Sequence, residues 1–259
     1  MNDLVSIITP SYNTAIFLEE TIQSVLNQTY KNWEMIIVDD CSTDNTDEII
    51  RKFDDQRIKY YKNQENVGAA ISRNTAISYA KGRWVAFLDS DDLWEKDKLE
   101  EQVKFMKENN ISFTYTGYME IDENSKQTGR VIKGPRRLTK RGMNSYCWPG
   151  CLTVMYDANA IGLVQIPDIK RNNDYALWIR ISEKAECFLL DKILARYRKR
   201  AGSISNHSYL ELIKWHYVLW RICERKSRAI SVAYTIRNLF WGVIKKVHYS
   251  KNTKKEENT

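Results

Sequence analysis

The chain has 259 residues, of which 43% are hydrophobic, 12% aromatic and 28% charged, enough to build a core in one large or two small domains and too little charge for a disordered chain. Ten Gly and four Pro exclude collagen-like or low-complexity architectures, and no apolar run reaches the roughly 18 residues of a membrane-spanning helix. The net charge of +7 is uneven: residues 209–259 hold 11 Lys/Arg against four Asp/Glu, whereas residues 1–208 hold 29 of each. The neutral body disfavours nucleic acid as a partner of the main domain.

Residues 4–9 form a short apolar run halted by Pro10 and predict a buried strand. Phe17, Leu18, Ile22, Val25 and Leu26 then recur at helical spacing. Residues 35–38 predict a second buried strand, residues 44–53 a helix with Ser42, Thr43 and Asp44 as candidate caps, and residues 58–61 a shorter strand. Residues 68–81 read as a helix closed by Gly82 just past its end. Residues 84–88 are a third apolar strand, followed by an acidic turn and a helix over 96–109. This alternation predicts the α/β class with a mostly parallel sheet covered by helices. Beyond it, residues 111–119 read as a strand and residues 174–184 as a helix. Residues 126–141, with seven basic residues, no acidic one, Gly129, Gly134 and Pro135, read as a loop.

Such sheets deliver their functional residues from the carboxyl ends of strands. Here those turns are Pro10-Ser11-Tyr12-Asn13, Asp39-Asp40 and Asp89-Ser90-Asp91-Asp92. Three polar, largely acidic turns on one edge point to a phosphate or metal site. Asp89 and Asp91 are hard carboxylates suited to Mg2+ or Mn2+ set against a diphosphate. The five Cys are odd in number and scattered, and Cys147 and Cys151 have no partner pair or nearby His, so zinc is not expected. Reduced thiols and the lack of an export-type leader give a cytoplasmic expectation. His207, His216 and His248 show no ligand spacing, and His207 is read as a surface residue.

The blocks Ser6-Ile7-Ile8-Thr9-Pro10-Ser11-Tyr12-Asn13, Val38-Asp39-Asp40-Cys41-Ser42-Thr43-Asp44, Asn66-Val67-Gly68-Ala69-Ala70, Arg73-Asn74 and Phe87-Leu88-Asp89-Ser90-Asp91-Asp92 resemble family 2 glycosyltransferases in order and spacing. The resemblance covers roughly residues 4–205. It implies the A-type glycosyltransferase fold: a Rossmann-like nucleotide-binding half (1–110) merged with an acceptor half (111–208), here followed by C-terminal helices (209–259). It also implies metal-dependent, inverting transfer from a nucleotide-activated sugar. Carried over by position, Pro10 and Tyr12 line the base and ribose pocket, and Asp40 contacts the nucleobase, commonly uracil. Asn13, Asn66 and Ser90 belong to the same nucleotide-sugar site. Arg73 lies near the diphosphate, Asp89 touches ribose or metal, and Asp91 is the principal metal ligand. Packing is the alternative for Tyr12 and a surface cation for Arg73, while Asp39 is read as a structural neighbour.

Single displacement at an anomeric carbon needs a group to take the acceptor proton. The family commonly supplies an Asp from a Glu-Asp pair at a helix start. Here the pair is Asn173-Asp174, so Asp174 is the expected base, with a first-turn helix acid as the alternative. Asn173 and Trp178 are acceptor-side candidates, Trp178 being at least as readily core. The run 196–205 resembles a family segment that closes over the donor. The Gln-x-x-Arg-Trp motif and membrane helices of processive members are missing from the sequence, which favours single addition.

Aromatic and basic residues over 209–249 suit amphipathic helices on an anionic membrane surface, with packing on the catalytic domain or a second subunit as the alternative. The basic run 126–141 is a second candidate for that surface. The expected enzyme moves one hexose or N-acetylhexosamine from a UDP-sugar to a saccharide acceptor, carried on a lipid diphosphate, in surface polysaccharide (capsule or O-antigen) synthesis. It would sit peripherally on the inner face of the membrane. A nucleotidyltransferase would carry a Gly-rich basic loop where residues 10–15 have neither Gly nor Lys. A non-catalytic, membrane-bound sugar-nucleotide scaffold is the remaining alternative.

Overall fold

The computed structural model describes residues 3–200 and 208–252. Strands β1 (Val5–Ser11), β2 (Trp33–Asp39) and β3 (Ile58–Lys62) run parallel, and β4 (Trp84–Phe87) joins the other side of β1, also parallel. Helices α1 (Ala15–Leu26), α2 (Thr46–Arg51) and α3 (Ala69–Tyr79) connect them. Every residue of β1, β2 and β4 is buried, as befits strands covered on both faces. Strand periodicity divides the core in two. Val5, Ile7, Met35, Ile37 and Ala86 pack with Leu18, Ile22 and Val25 of α1, whereas Ile8, Ile36, Val38, Val85 and Phe87 face α3 residues Ala76 and Ile77.

The chain continues through β5 (Leu93–Trp94), α4 (Lys98–Glu108), β6 (Phe113–Ile121), β7 (Gln127–Ile132), β8 (Arg137–Leu138), α5 (Lys140–Met143), β9 (Met155–Asp157), α6 (Ala158–Ile161), α7 (Asn173–Ile181) and β10 (Cys187–Arg198). Strand β9 lies antiparallel to both β4 and β6, so one sheet joins the parallel strands of the first 90 residues to the strands that follow. Strand β10 is parallel to β6 and antiparallel to β5 and β8. Helix α8 (Tyr209–Val218), a π-helical turn (Leu219–Cys223) and α9 (Arg228–His248) follow, and β11 (Ser250–Asn252) adds an edge strand to β7. The C-terminal extension thus packs on the catalytic domain. Among the described residues no helix is long and apolar enough to cross a membrane.

Four local expectations are corrected. Pro10 does not end β1; it pairs in register with Val38, and the strand runs on through Ser11. Gly82 does not close α3, which ends at extended Ala80. A Cβ on Gly82 would stand 2.5 Å from the Leu4 carbonyl oxygen and 2.7 Å from the Ser6 nitrogen, so close backbone approach explains it. Residues 126–141 form β7, β8 and α5 rather than a loop. Four of their seven basic residues, Arg130, Lys133, Arg137 and Lys140, pair with Glu120, Asp191, Glu186 and Glu183. Arg196 and Arg198 are not free to close over a donor, because β10 holds both and Arg196 Nε lies 2.6 Å from Glu95 Oε1. The rest of that segment, with Gly202, Ser203 and His207, lies outside the described residues.

Candidate active site

The carboxyl edge of β1, β2 and β4 is organised by buried hydroxyls. Ser11 Oγ lies 3.0 Å from Thr14 Oγ1, which lies 2.8 Å from Ser90 Oγ. From α1, Thr21 Oγ1 donates to the carbonyls of Ser90 (3.0 Å) and Asp92 (2.9 Å). These bonds lock the Asp89–Asp92 turn against the first βα turn, and they make Ser90 a buried scaffold residue. Asn13, at a left-handed φ of 50°, accepts the Thr43 N–H at Oδ1 (2.9 Å) and so joins the first two turns. Pro10 is buried within β1, whereas Tyr12 stands on the rim, 48% exposed.

The two acids after β2 have different jobs. Asp39, fully buried, accepts from the Ser42 N–H (2.9 Å) and from Tyr60 Oη (3.0 Å), a structural role as expected. Asp40 accepts from Asn63 Nδ2 and the Val67 N–H (both 2.9 Å) at Oδ1, and from the Gly68 N–H (2.7 Å) at Oδ2. Asn66 Nδ2 donates to the Asp40 carbonyl at 3.2 Å. Both acidic oxygens are therefore engaged by the turn that launches α3. Asp40 is buried and braces that turn, with three donors on a carboxylate that has about four acceptor sites. Gly68, at a φ of 89°, permits the turn to bend back onto it.

Across the acidic turn, Asp89 pairs with Arg73 of α3. The buried Arg73 also donates from Nη1 to Asn173 Oδ1 at 2.6 Å. One guanidinium therefore joins the Asp89 turn to the first turn of α7, 84 positions further along the chain. Asp91 Oδ2 accepts from Arg200 Nε at 2.6 Å. Burial and the neighbouring Asp89 push the Asp91 carboxyl above its ordinary pKa, against the pull of Arg200, and Asp92 is pushed further still. Among the described residues no three His, Cys, Asp or Glu side chains gather to hold a metal ion. Two hard carboxylates in one turn nevertheless fit Mg2+ or Mn2+, which commonly bind through one or two carboxylates and complete their shell with substrate phosphates and water.

Arg198 is the residue that sequence reasoning missed as an anchor. Its side chain is fully buried, and its Nε donates to the Asp91 carbonyl (2.7 Å), Nη1 to Ser125 Oγ (2.8 Å) and Nη2 to Glu20 Oε2 (2.6 Å). Its backbone N–H donates to Asp92 Oδ1 at 2.8 Å. The available signal was its position at the end of a strand, but it stood among five basic and aromatic residues of similar texture.

Asp174 sits in the first turn of α7, half-buried, with Oδ1 accepting the Tyr175 N–H at 2.8 Å. Burial raises its pKa and Arg73 opposes the rise. Trp178, one turn further, has no exposed surface and packs edge-on to Phe87 at 5.1 Å. That burial corrects the acceptor expectation: Trp178 is core. Arg73 thus brings together Asp89 and the Asn173-Asp174 pair, with Asp91 in the same turn as Asp89.

This fold and this constellation of a two-carboxylate turn facing a third carboxylate are those of an A-type glycosyltransferase. The chain belongs to glycosyl transferase family 2, whose family model matches residues 6–163. It is 39% identical over 254 residues to the Escherichia coli UDP-Glc:alpha-D-GlcNAc-diphosphoundecaprenol beta-1,3-glucosyltransferase WfgD, covering 97% of this chain and 98% of that one. It is 40% identical over 243 residues to the glucosyltransferase WfaP of the same description and organism, covering 93% of each. Among solved structures, S. aureus TarS 1–349 in complex with UDP-GlcNAc matches with a TM-score of 0.72 at 22% identity, over 90% of this chain and 71% of that one, a likeness of fold.

Proposed function

We propose that the protein is an inverting glycosyltransferase that moves a single hexose or N-acetylhexosamine from a UDP-sugar to a saccharide acceptor on a lipid diphosphate. We place it in bacterial surface polysaccharide synthesis. The observation that carries the reading is the Arg73 bridge, which joins Asp89, in the same turn as Asp91, to Asn173, the chain neighbour of Asp174. The relatives' printed donor and acceptor, UDP-Glc and a GlcNAc-diphosphate lipid, support the substrate classes.

In the proposed reaction an acceptor hydroxyl oxygen attacks the anomeric carbon as the bond from that carbon to the diphosphate breaks. The bonding pair leaves with UDP, and the acceptor proton passes to the Asp174 carboxylate. A carboxyl raised by burial is a better base than an exposed one. Tyr12 and Asn13 border the nucleotide, with Asp40 and Asn66 shaping the turn beside it. Asp89 and Asp91 would hold Mg2+ or Mn2+, which when bound supplies positive charge against the departing diphosphate. Asp174→Asn is expected to abolish transfer, lowering kcat by about 10²–10⁴, while UDP binding by calorimetry stays within twofold. Near-normal turnover in that variant would overturn the assignment.

The extension is read as the membrane contact of a cytoplasmic, peripheral enzyme. Val232, Ile236, Phe240, Val243 and Val247 form one exposed apolar stripe along α9, a helix with no acidic residue and with Arg228, Arg237 and Lys246 away from the face that Lys245 turns to the domain. An apolar stripe bordered by cations matches an anionic bilayer surface. The double variant Ile236→Glu/Phe240→Glu is expected to lose sedimentation with phosphatidylglycerol vesicles; retained binding would rule this face out.

A further inference from the structure

The opposite face of α9 is occupied by the catalytic domain. Asn238, Gly242 and Lys245 recur at the three- and four-residue spacing of one helical face, and each meets the segment 144–148. Asn238, fully buried, donates from Nδ2 to the carbonyls of Asn144 (3.1 Å) and Ser145 (2.6 Å). Its Oδ1 accepts from Trp220 Nε1 at 2.7 Å. The indole can only donate, which fixes the orientation of the amide. Gly242 lies where a Cβ would stand 3.0 Å from the Tyr146 ring. Lys245 Nζ donates to the carbonyls of Cys147 (3.1 Å) and Trp148 (2.8 Å) and lies 5.3 Å from the centre of the Tyr146 ring.

The same Asn238 amide reaches the Tyr175 hydroxyl at 3.2 Å, and that hydroxyl donates to the Met143 carbonyl at 3.0 Å. Tyr175 in turn gives its backbone N–H to Asp174 Oδ1 at 2.8 Å. A short chain of hydrogen bonds therefore runs from the C-terminal helix to the carboxylate at the start of α7. Lys245 lies on the same side: burial lowers its ammonium's pKa, and the Asp174 charge pulls in the other direction.

We propose that Asn238 and Lys245 are positioning residues for sugar transfer, by which α9 holds the segment 144–148 and the first turn of α7 so that Asp174 meets the acceptor. The inference rests on the reading of Asp174 as the base. It makes the C-terminal helix part of the acceptor side of the active site, in addition to a membrane contact. The donor side has anchors of its own in Thr14, Thr21 and Arg198, with Arg73 linking it to α7.

Hydrogen exchange on the full chain tests this without any substrate. In Lys245→Met and in Asn238→Ala, exchange is expected to rise at least tenfold over residues 144–148 and 173–176 and to stay unchanged over 39–44 and 89–92. Kinetics with UDP-glucose and a synthetic GlcNAc-diphosphate lipid should then show kcat lowered about 10–100-fold, the scale of a small misplacement of reacting groups, with UDP affinity unchanged and Lys245→Arg restoring most of the rate. Unchanged exchange at 144–148 and 173–176, or a rise spread evenly over the whole sheet, would overturn the proposal. An active Asp174→Asn variant would instead remove the base on which the proposal rests, so the two failures are distinguishable.

Discussion

Replacing Arg198 with Met tests whether a cation, rather than the acidic residues themselves, fixes the donor turn. The guanidinium serves the Asp91 carbonyl at 2.7 Å, Ser125 Oγ at 2.8 Å, the carbonyls of Asp122 and Glu123 at 3.3 Å each, and Glu20 at 2.6 Å. Glu20 is 47% exposed and recovers hydration when its partner is removed, so that pair contributes little. The carbonyls of Asp91, Asp122 and Glu123 sit in part-buried contacts, and one that water does not reach costs about 1–3 kcal/mol when left without a donor. Counting the Asp91 carbonyl and one of the weaker pair, the loss comes to about 2–6 kcal/mol. Urea unfolding monitored by far-ultraviolet dichroism should show that fall with an unchanged slope, and calorimetry should show UDP affinity reduced more than tenfold. Arg198→Lys should fall between, since an ammonium cannot reproduce the fork. A loss under about 1 kcal/mol with intact UDP affinity would refute the anchoring role.

Two further predictions concern the scaffold. Lys98 is fully buried, donates to Gln102 Oε1 at 2.7 Å, and burial alone pulls its pKa down to about 7. The folded protein therefore binds fewer protons than the unfolded chain between about pH 7 and 10.5, so this residue makes stability rise with pH across that window and leaves its full penalty in place below pH 7. Lys98→Met should be more stable than the parent at pH 6 and lose that slope; urea midpoints at pH 6 and pH 9 that move in parallel for both proteins would contradict it. Gly82→Ala should lower stability by about 1–3 kcal/mol, because the new methyl meets backbone atoms that cannot swing aside. An unshifted thermal midpoint would show that the backbone gives way.

The nucleotide half was legible because parallel strands buried on both faces are unbroken apolar runs, and those runs are short and bounded by turn residues. The misreadings share one cause: a local signal serves more than one need. A glycine after a helix serves either a left-handed cap or a close backbone approach, and Gly82 serves the second. Gly129 and Pro135 punctuate residues 126–141, yet β7 forms because β6 offers an unpaired edge, a partner that no local window contains. The basic residues of that segment stand without acidic neighbours in the sequence, while Asp191, Glu186 and Glu183, which pair with three of them, lie more than 40 positions later in the chain.

The site shows the same division between what a motif marks and what a side chain does there. Turns after strands mark where polar residues gather, but Asp40 and Ser90 turn out to be engaged by the scaffold, through partners up to 76 residues away. Asn173 is the sharper case. Beside Asp174, an amide in place of the family's usual carboxylate looks like a lost acid. In the structure that amide oxygen accepts from Arg73, which also holds Asp89. A carboxylate at position 173 would neutralise the guanidinium and set a second negative charge next to Asp174, and both effects would raise a carboxyl already lifted by burial. The neutral amide keeps the same hydrogen bond and leaves the Arg73 charge acting on Asp174 and Asp89 together. In this chain, therefore, an amide supplies the bond that joins the two sides of the site, and Asp174 is left as the carboxylate of the pair.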